Sequence, residues 1–115
     1  MEHRCSVRKA VEFQLLLYRQ GLPVQSALSR DLGLGGMCIQ TGACDWRRNE
    51  RLEIEILGPG GQPVMKLPAV VVHHSLRGTG VEFDTVSAEQ RRTLRSWLYT
   101  GKPETETGSP VRAVA

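Results

Sequence analysis

The sequence predicts a mainly β domain, a small six-stranded antiparallel β-barrel with a C-terminal α-helix. Short apolar runs recur between Gly- and Pro-containing breaks, as strands do between turns. One run, Arg51–Leu57, alternates charged with apolar residues as far as Ile56, the signature of a half-buried antiparallel strand. Only one segment, close to the end, carries apolar residues at helical spacing. The length of 115 residues bounds the chain to one domain with a real core. With 40% hydrophobic and 23% charged residues, a fibrous, collagen-like or wholly disordered chain is excluded.

Each element has its local reason. A polar, basic arm over residues 1–9 leads into Val11–Tyr18, which starts in alternation and continues as an apolar run. Gly21 and Pro23 punctuate a turn, and Val24–Leu28 is the second strand of the resulting hairpin. Asp31–Gly36, with three glycines in its last four residues, is expected to break regular structure. Met37–Thr41 resumes as a strand, and Gly42–Asn49 is a polar loop in which Trp46 reads as a candidate partner contact. After Arg51–Leu57, Gly58–Gln62 forms a turn, Val64–Ser75 a long strand, and Gly80–Asp84 a last short one. Ser87 and Gln90 form a capping-box pattern, and Leu94, Trp97 and Leu98 make the apolar stripe of the helix. Gly101 is its stop signal. Residues 1–100 thus form the domain, and 101–115, with little to bury, a disordered tail.

Several function classes are excluded at this level. No apolar run approaches the roughly 20 residues that span a bilayer, and the charged N-terminus has no apolar leader core, so a cytoplasmic location is expected. Cys5, Cys38 and Cys44 match no zinc spacing and read as reduced thiols; no metal and no cofactor are expected. Neither a nucleophile elbow, a phosphate-binding Walker loop nor a His-Glu-x-x-His pair is present, so no catalytic residues are assigned. His73 and His74 are neighbours on a strand and point to opposite faces.

The charge pattern points to a binding module. Of 15 cations, 12 are Arg, whose planar fork suits phosphates and guanine edges. A net charge of +3 is too small for a general nucleic-acid coat and suits one small anionic ligand. Arg4-Cys-Ser-Val-Arg8 precedes the first strand, and Asp31-Leu-Gly-Leu-Gly-Gly36 follows the second. An Arg-x-x-x-Arg arm and an Asp-x-small-x-x-Gly turn, in that order around a β-barrel, resemble a PilZ domain, the bacterial receptor module for cyclic di-GMP. The resemblance covers nearly all of residues 4–99 and includes the late strand Gly80-Val-Glu-Phe83 with the helix after it. Arg4 and Arg8 match the first motif, and Asp31 and Gly36 match the second. Gly33 stands where the family carries serine.

The resemblance implies a cyclic di-GMP site built from Arg4, Arg8, Asp31, Gly33 and Gly36, with His73 near a position that packs against a base in some members. The chemistry is consistent with those residue types. Arg forks hold phosphates or guanine O6 and N7, Asp accepts from guanine N–H groups, and glycines admit close approach of backbone amides. An extended arm separates Arg4 and Arg8 by about 13 Å, so clasping one ligand requires it to fold back. Ordering of that arm by one or two ligand copies would change the surface shown to a separate partner protein. Two alternatives stand beside this reading. One is a PilZ-like adaptor with weak or no nucleotide binding, acting through protein contacts. The other is a small barrel for single-stranded nucleic acid, which needs interleaved aromatics; aromatics are only 5% of this chain, and none lies between the two arginines.

Overall fold

The structure, a computed structural model, describes residues 8–42 and 46–102. In chain order its elements are β1 (Arg8–Ala10), β2 (Gln14–Arg19), β3 (Leu22–Gly33), β4 (Gly36–Gln40), β5 (Arg51–Leu57), β6 (Pro63–Ser75), β7 (Gly78–Phe83) and α1 (Ala88–Thr100). All strand pairings are antiparallel. The sheet runs β1-β3-β2-β5-β6-β7-β4, and a further β3–β4 pairing closes it. Strands β2 to β7 are therefore the expected six-stranded barrel, with β1 as an additional short strand.

The barrel closes because β3 is long enough to serve two neighbours. Its first half pairs with β2 and its second half with β4, while β1 lies beside the second half along Asp31–Gly33. Here the structure corrects the expected break at Asp31–Gly36. The strand continues through Gly33, and the turn shrinks to Leu34 and Gly35. Leu32 is fully buried in the core and Gly33 is paired with Arg8, so packing and a strand partner extend what glycine content alone would interrupt. Conversely, the strand expected from Val11 starts only at Gln14. Between β1 and β2 the buried Ser29 hydroxyl accepts the Phe13 amide at 2.8 Å and donates to the Val11 carbonyl at 2.6 Å. Ser29 thereby satisfies backbone groups that the break would leave unpaired in the interior.

Alternation fills the barrel. Leu15 and Leu17 of β2, Leu52, Ile54 and Ile56 of β5, and Leu67, Ala69 and Val71 of β6 all point inward and are buried. Helix α1 covers this core with Leu94 and Trp97, the Trp97 ring standing edge-on to Phe13 at 5.9 Å and 87°. The capping box of Ser87 and Gln90 is present, and Gly101 ends the helix at φ 75° with its amide on the Trp97 carbonyl. No basic side chain lies in the last helical turn itself. Lys9 of β1 supplies one, its Nζ donating to the Leu98 carbonyl at 2.8 Å and the Tyr99 carbonyl at 3.4 Å.

Trp46 is not the exposed contact that the loop composition implied. It is 3% exposed, its indole N–H donates to Gln25 Oε1 at 2.9 Å, and the Arg19 guanidinium lies 4.4 Å from its ring centroid. Arg19 in turn pairs with Glu50 at 2.7 Å, which anchors the loop to the end of the β2–β3 hairpin. No described helix is long and apolar enough to cross a membrane.

Candidate ligand-binding groove

Two interruptions of strand register determine what the outer wall of the barrel presents. In β3 the pairing with β4 shifts between Ser29 and Asp31, leaving Arg30 as the extra residue. In β6 the pairing with β7 shifts between Val71 and His73, leaving Val72 as the extra residue. A bulge changes the phase of alternation, so the residue after it faces the side its predecessor's pattern would deny it. Ser29 and Val71 are buried inside; Asp31 and His73, two residues on, belong to the outer wall instead.

Register then aligns them. Asp31 pairs with Cys38, Cys38 with Gly80, and Gly80 with His73, one row across four strands. The next row places Gly36 opposite Glu82 and Glu82 opposite Val70. Small residues at Gly36, Cys38 and Gly80 leave a trough on the sheet surface, with Asp31, His73 and Glu82 rising around it. This groove has a volume of about 620 Å³ and is also lined by Gly35, Val72 and Phe83. Its size falls in the range of small-molecule sites, about 300–1,000 Å³.

The individual positions differ in what holds them. Asp31 Oδ1 accepts the Cys38 amide at 3.2 Å, which ties its carboxylate across the bulge to β4. The His73 ring lies against the face of Gly80, where a Cβ would stand 3.4 Å from its Cδ2. Gly36 is required by packing: a Cβ there would collide with the Val81 carbonyl oxygen, because β4 and β7 approach closely. Gly35 is exposed with open space around it, so its backbone is the accessible part of the glycine turn. Gly33 lies buried in β3, paired with Arg8 of β1 and two residues from Asp31.

Of the residues expected from sequence, the groove gathers Asp31, Gly36 and His73, with Gly33 beside it under β1. The backbone of Arg8 opens β1; its side chain, and the whole of Arg4, lie outside the described residues. Cys5, Cys44, residues 1–7 of the arm and the tail from 103 lie outside them as well. Glu82 and Cys38 line the groove without having been singled out by sequence. The available signal was the phase of Gly80-Val81-Glu82-Phe83, where an inward Val81 sends Gly80 and Glu82 outward; only strand register puts them beside Asp31 and His73. Among the described residues, no three His, Cys, Asp or Glu side chains gather as a metal site.

Comparison with known proteins agrees with this architecture. The fold is similar to the PilZ domain of CeSA from a cellulose-synthesizing bacterium, with a TM-score of 0.65 and 13% identity over 83% of this chain and 97% of that one. It is similar to the Bacillus subtilis inhibitor of motility MotI/DgrA, with a TM-score of 0.69 and 16% identity over 87% of this chain and 51% of that one. The PilZ domain of YcgR from Escherichia coli, solved with c-di-GMP, gives a TM-score of 0.68 and 18% identity over 98% of both chains. No curated protein sequence matches the chain. The sequence model of the PilZ domain matches residues 2–100, and the chain accordingly belongs to the PilZ domain family, whose members are receptor and adaptor domains rather than enzymes.

Proposed function

We propose that this domain binds cyclic di-GMP in the groove formed by β3, β4, β7 and β6, with the arginine arm completing the site. The observation that carries this reading is the pair of bulges that brings Asp31 and His73 into one row over a floor of small residues. Bulges are retained where they aim side chains at a site. Asp31 accepts from a guanine N–H edge, His73 offers a ring face to a base, and the Gly35 and Gly36 backbone admits a phosphate closely. The described lining contains Asp31 and Glu82 but no Lys or Arg. Countercharge for the two phosphates must therefore come from outside this lining, which is the role assigned to Arg4 and Arg8. The pairing of the Arg8 backbone with Gly33, two residues from Asp31, supports that role.

Ligand would order the arm against β3 and so alter the surface offered to a separate protein partner. A bacterial cytoplasm is the setting that goes with this role. The test is calorimetry with cyclic di-GMP on the wild type and on Arg8→Ala, with GTP as control. Micromolar or tighter binding that is lost in Arg8→Ala supports the receptor reading; absence of heat in the wild type overturns it.

Gly33 favours a second reading, an adaptor with weak nucleotide affinity that works through protein contacts. A hydrogen bond to a charged group contributes about 1.5–3 kcal/mol, so replacing the family serine lowers affinity roughly 10- to 100-fold. Gly33→Ser separates the two readings: a gain of that size identifies the groove as a working but weakened receptor site.

A further inference from the structure

We propose that Glu82 is a specificity-determining residue of the groove, selecting guanine over adenine; this rests on the cyclic di-GMP reading. Glu82 lies on β7 between Gly36 of β4 and Val70 of β6, neither of which offers it a polar side chain. Its side chain is exposed, and among the described residues it has no hydrogen-bond or ion-pair partner. A carboxylate without a partner among the described residues, on the rim of a groove meant for a dianion, works against general anion binding. It therefore has a different use, as an acceptor for N–H groups.

The geometry supports that use. Gly80, which carries the His73 ring, precedes Glu82 by two residues on the same strand, about 6.6 Å along it. Gly36 and Cys38 are too small to lift a flat ring off the sheet, and the His73 ring already covers Gly80. A purine lying on this floor has His73 near one end and the Glu82 carboxylate near the other. The N1–H and exocyclic N2–H groups of guanine are adjacent donors, and a carboxylate is an acceptor only. Adenine presents one donor and the N1 lone pair at that edge, which faces the carboxylate with repulsion. Glu82 thus discriminates both by attraction to guanine and by a penalty on adenine. Asp31 sits two strands away, about 12 Å between Cα positions, with one carboxylate oxygen already accepting the Cys38 amide.

The test compares cyclic di-GMP with cyclic di-AMP by calorimetry on the wild type, Glu82→Gln and Glu82→Ala, with a thermal melt of each variant. A Gln amide both donates and accepts, so it pairs with adenine as the carboxylate cannot. The expected result is an unchanged melt and a fall in the cyclic di-GMP to cyclic di-AMP affinity ratio of about 10- to 100-fold in Glu82→Gln. Equal weakening of both dinucleotides, or an unchanged ratio, overturns the role of Glu82 while leaving the receptor reading in place. A wild type that binds neither dinucleotide overturns both.

Discussion

The two sides of this barrel obey different rules. On the β2–β5–β6 side, alternation runs uninterrupted across β5, and the register shifts at Leu17/Tyr18 and Ile56/Leu57 fall beside hairpin turns. On the β3–β4–β7–β6 side, the shifts at Ser29/Asp31 and Val71/His73 fall within the strands. The regular side is what a hydrophobic core demands of a sheet, with every second residue inward. On the irregular side the inward set is kept, since Ser29, Leu32, Val71 and Val81 are all buried, but one extra residue in each of β3 and β6 re-aims the outward set. Core and groove are thus separable here: the inward phase builds the core, and the outward phase after a bulge builds the lining of the groove.

That separation can be broken from either side. The largest effect is expected from Ile54→Ala on the regular side, where the side chain is fully buried in β5. Loss of about 2–5 kcal/mol in chemical denaturation is expected for such a cavity, and a loss below 1 kcal/mol would mean the barrel interior collapses around it. Next comes Gly36→Ala, which forces a Cβ onto the Val81 carbonyl oxygen and should cost about 1–3 kcal/mol. Its neighbour sharpens the comparison: Gly35→Ala meets open space and should leave the melt within about 0.5 kcal/mol of wild type. Similar losses for both glycines would show that the turn, not the β4–β7 approach, requires them.

Smaller effects lie where the two sides meet the rest of the molecule. Lys9→Ala removes the ammonium from the Leu98 and Tyr99 carbonyls and should loosen the helix end by about 0.3–1 kcal/mol. Faster amide exchange confined to the last turn of α1 is the expected readout; exchange spread over the whole barrel would contradict a capping role. The smallest change concerns Tyr18 on the regular side. Its hydroxyl donates to Glu55 Oε1 at 2.7 Å, and that bond, with weaker contributions from burial and the Glu55 and Glu53 charges, raises its pKa. Because the folded value is raised, the contribution to stability is present below the unfolded tyrosine pKa of about 10 and disappears as pH rises through the folded value. Ultraviolet titration of Glu55→Gln should show Tyr18 ionising at lower pH than in the wild type.

Much of the fold was legible because it rests on local chemistry. The alternation of Arg51–Leu57, the capping box at Ser87 and Gln90, and the stop at Gly101 each required only neighbouring residues. Asp31 and Gly36, expected from the second motif, and His73, expected from the resemblance, come together in the groove, whereas Arg4 and the Arg8 side chain of the first motif lie outside the described residues. Trp46 was misread because a polar loop gives no sign that Gln25 and Arg19, from the β2–β3 hairpin, will enclose its ring. Glycine content at Gly33 likewise gave no sign that β1 would pair there and extend β3.

The sequence by itself determined the class of the domain, the order of β2 to β7 and α1, and the inward residues of a cleanly alternating strand such as β5, because hydrophobic period is a property of consecutive residues. Only the tertiary structure decided which outward residues meet. Bulges at Arg30 and Val72 are invisible to periodicity until a partner strand counts two residues against one. Cross-strand register then joins Asp31, Cys38, Gly80 and His73, which are up to 49 positions apart in the chain, into one row and brings Glu82 beside it. That neighbourhood is fixed by the pairing of strands distant in sequence, and it is the pairing that makes the groove.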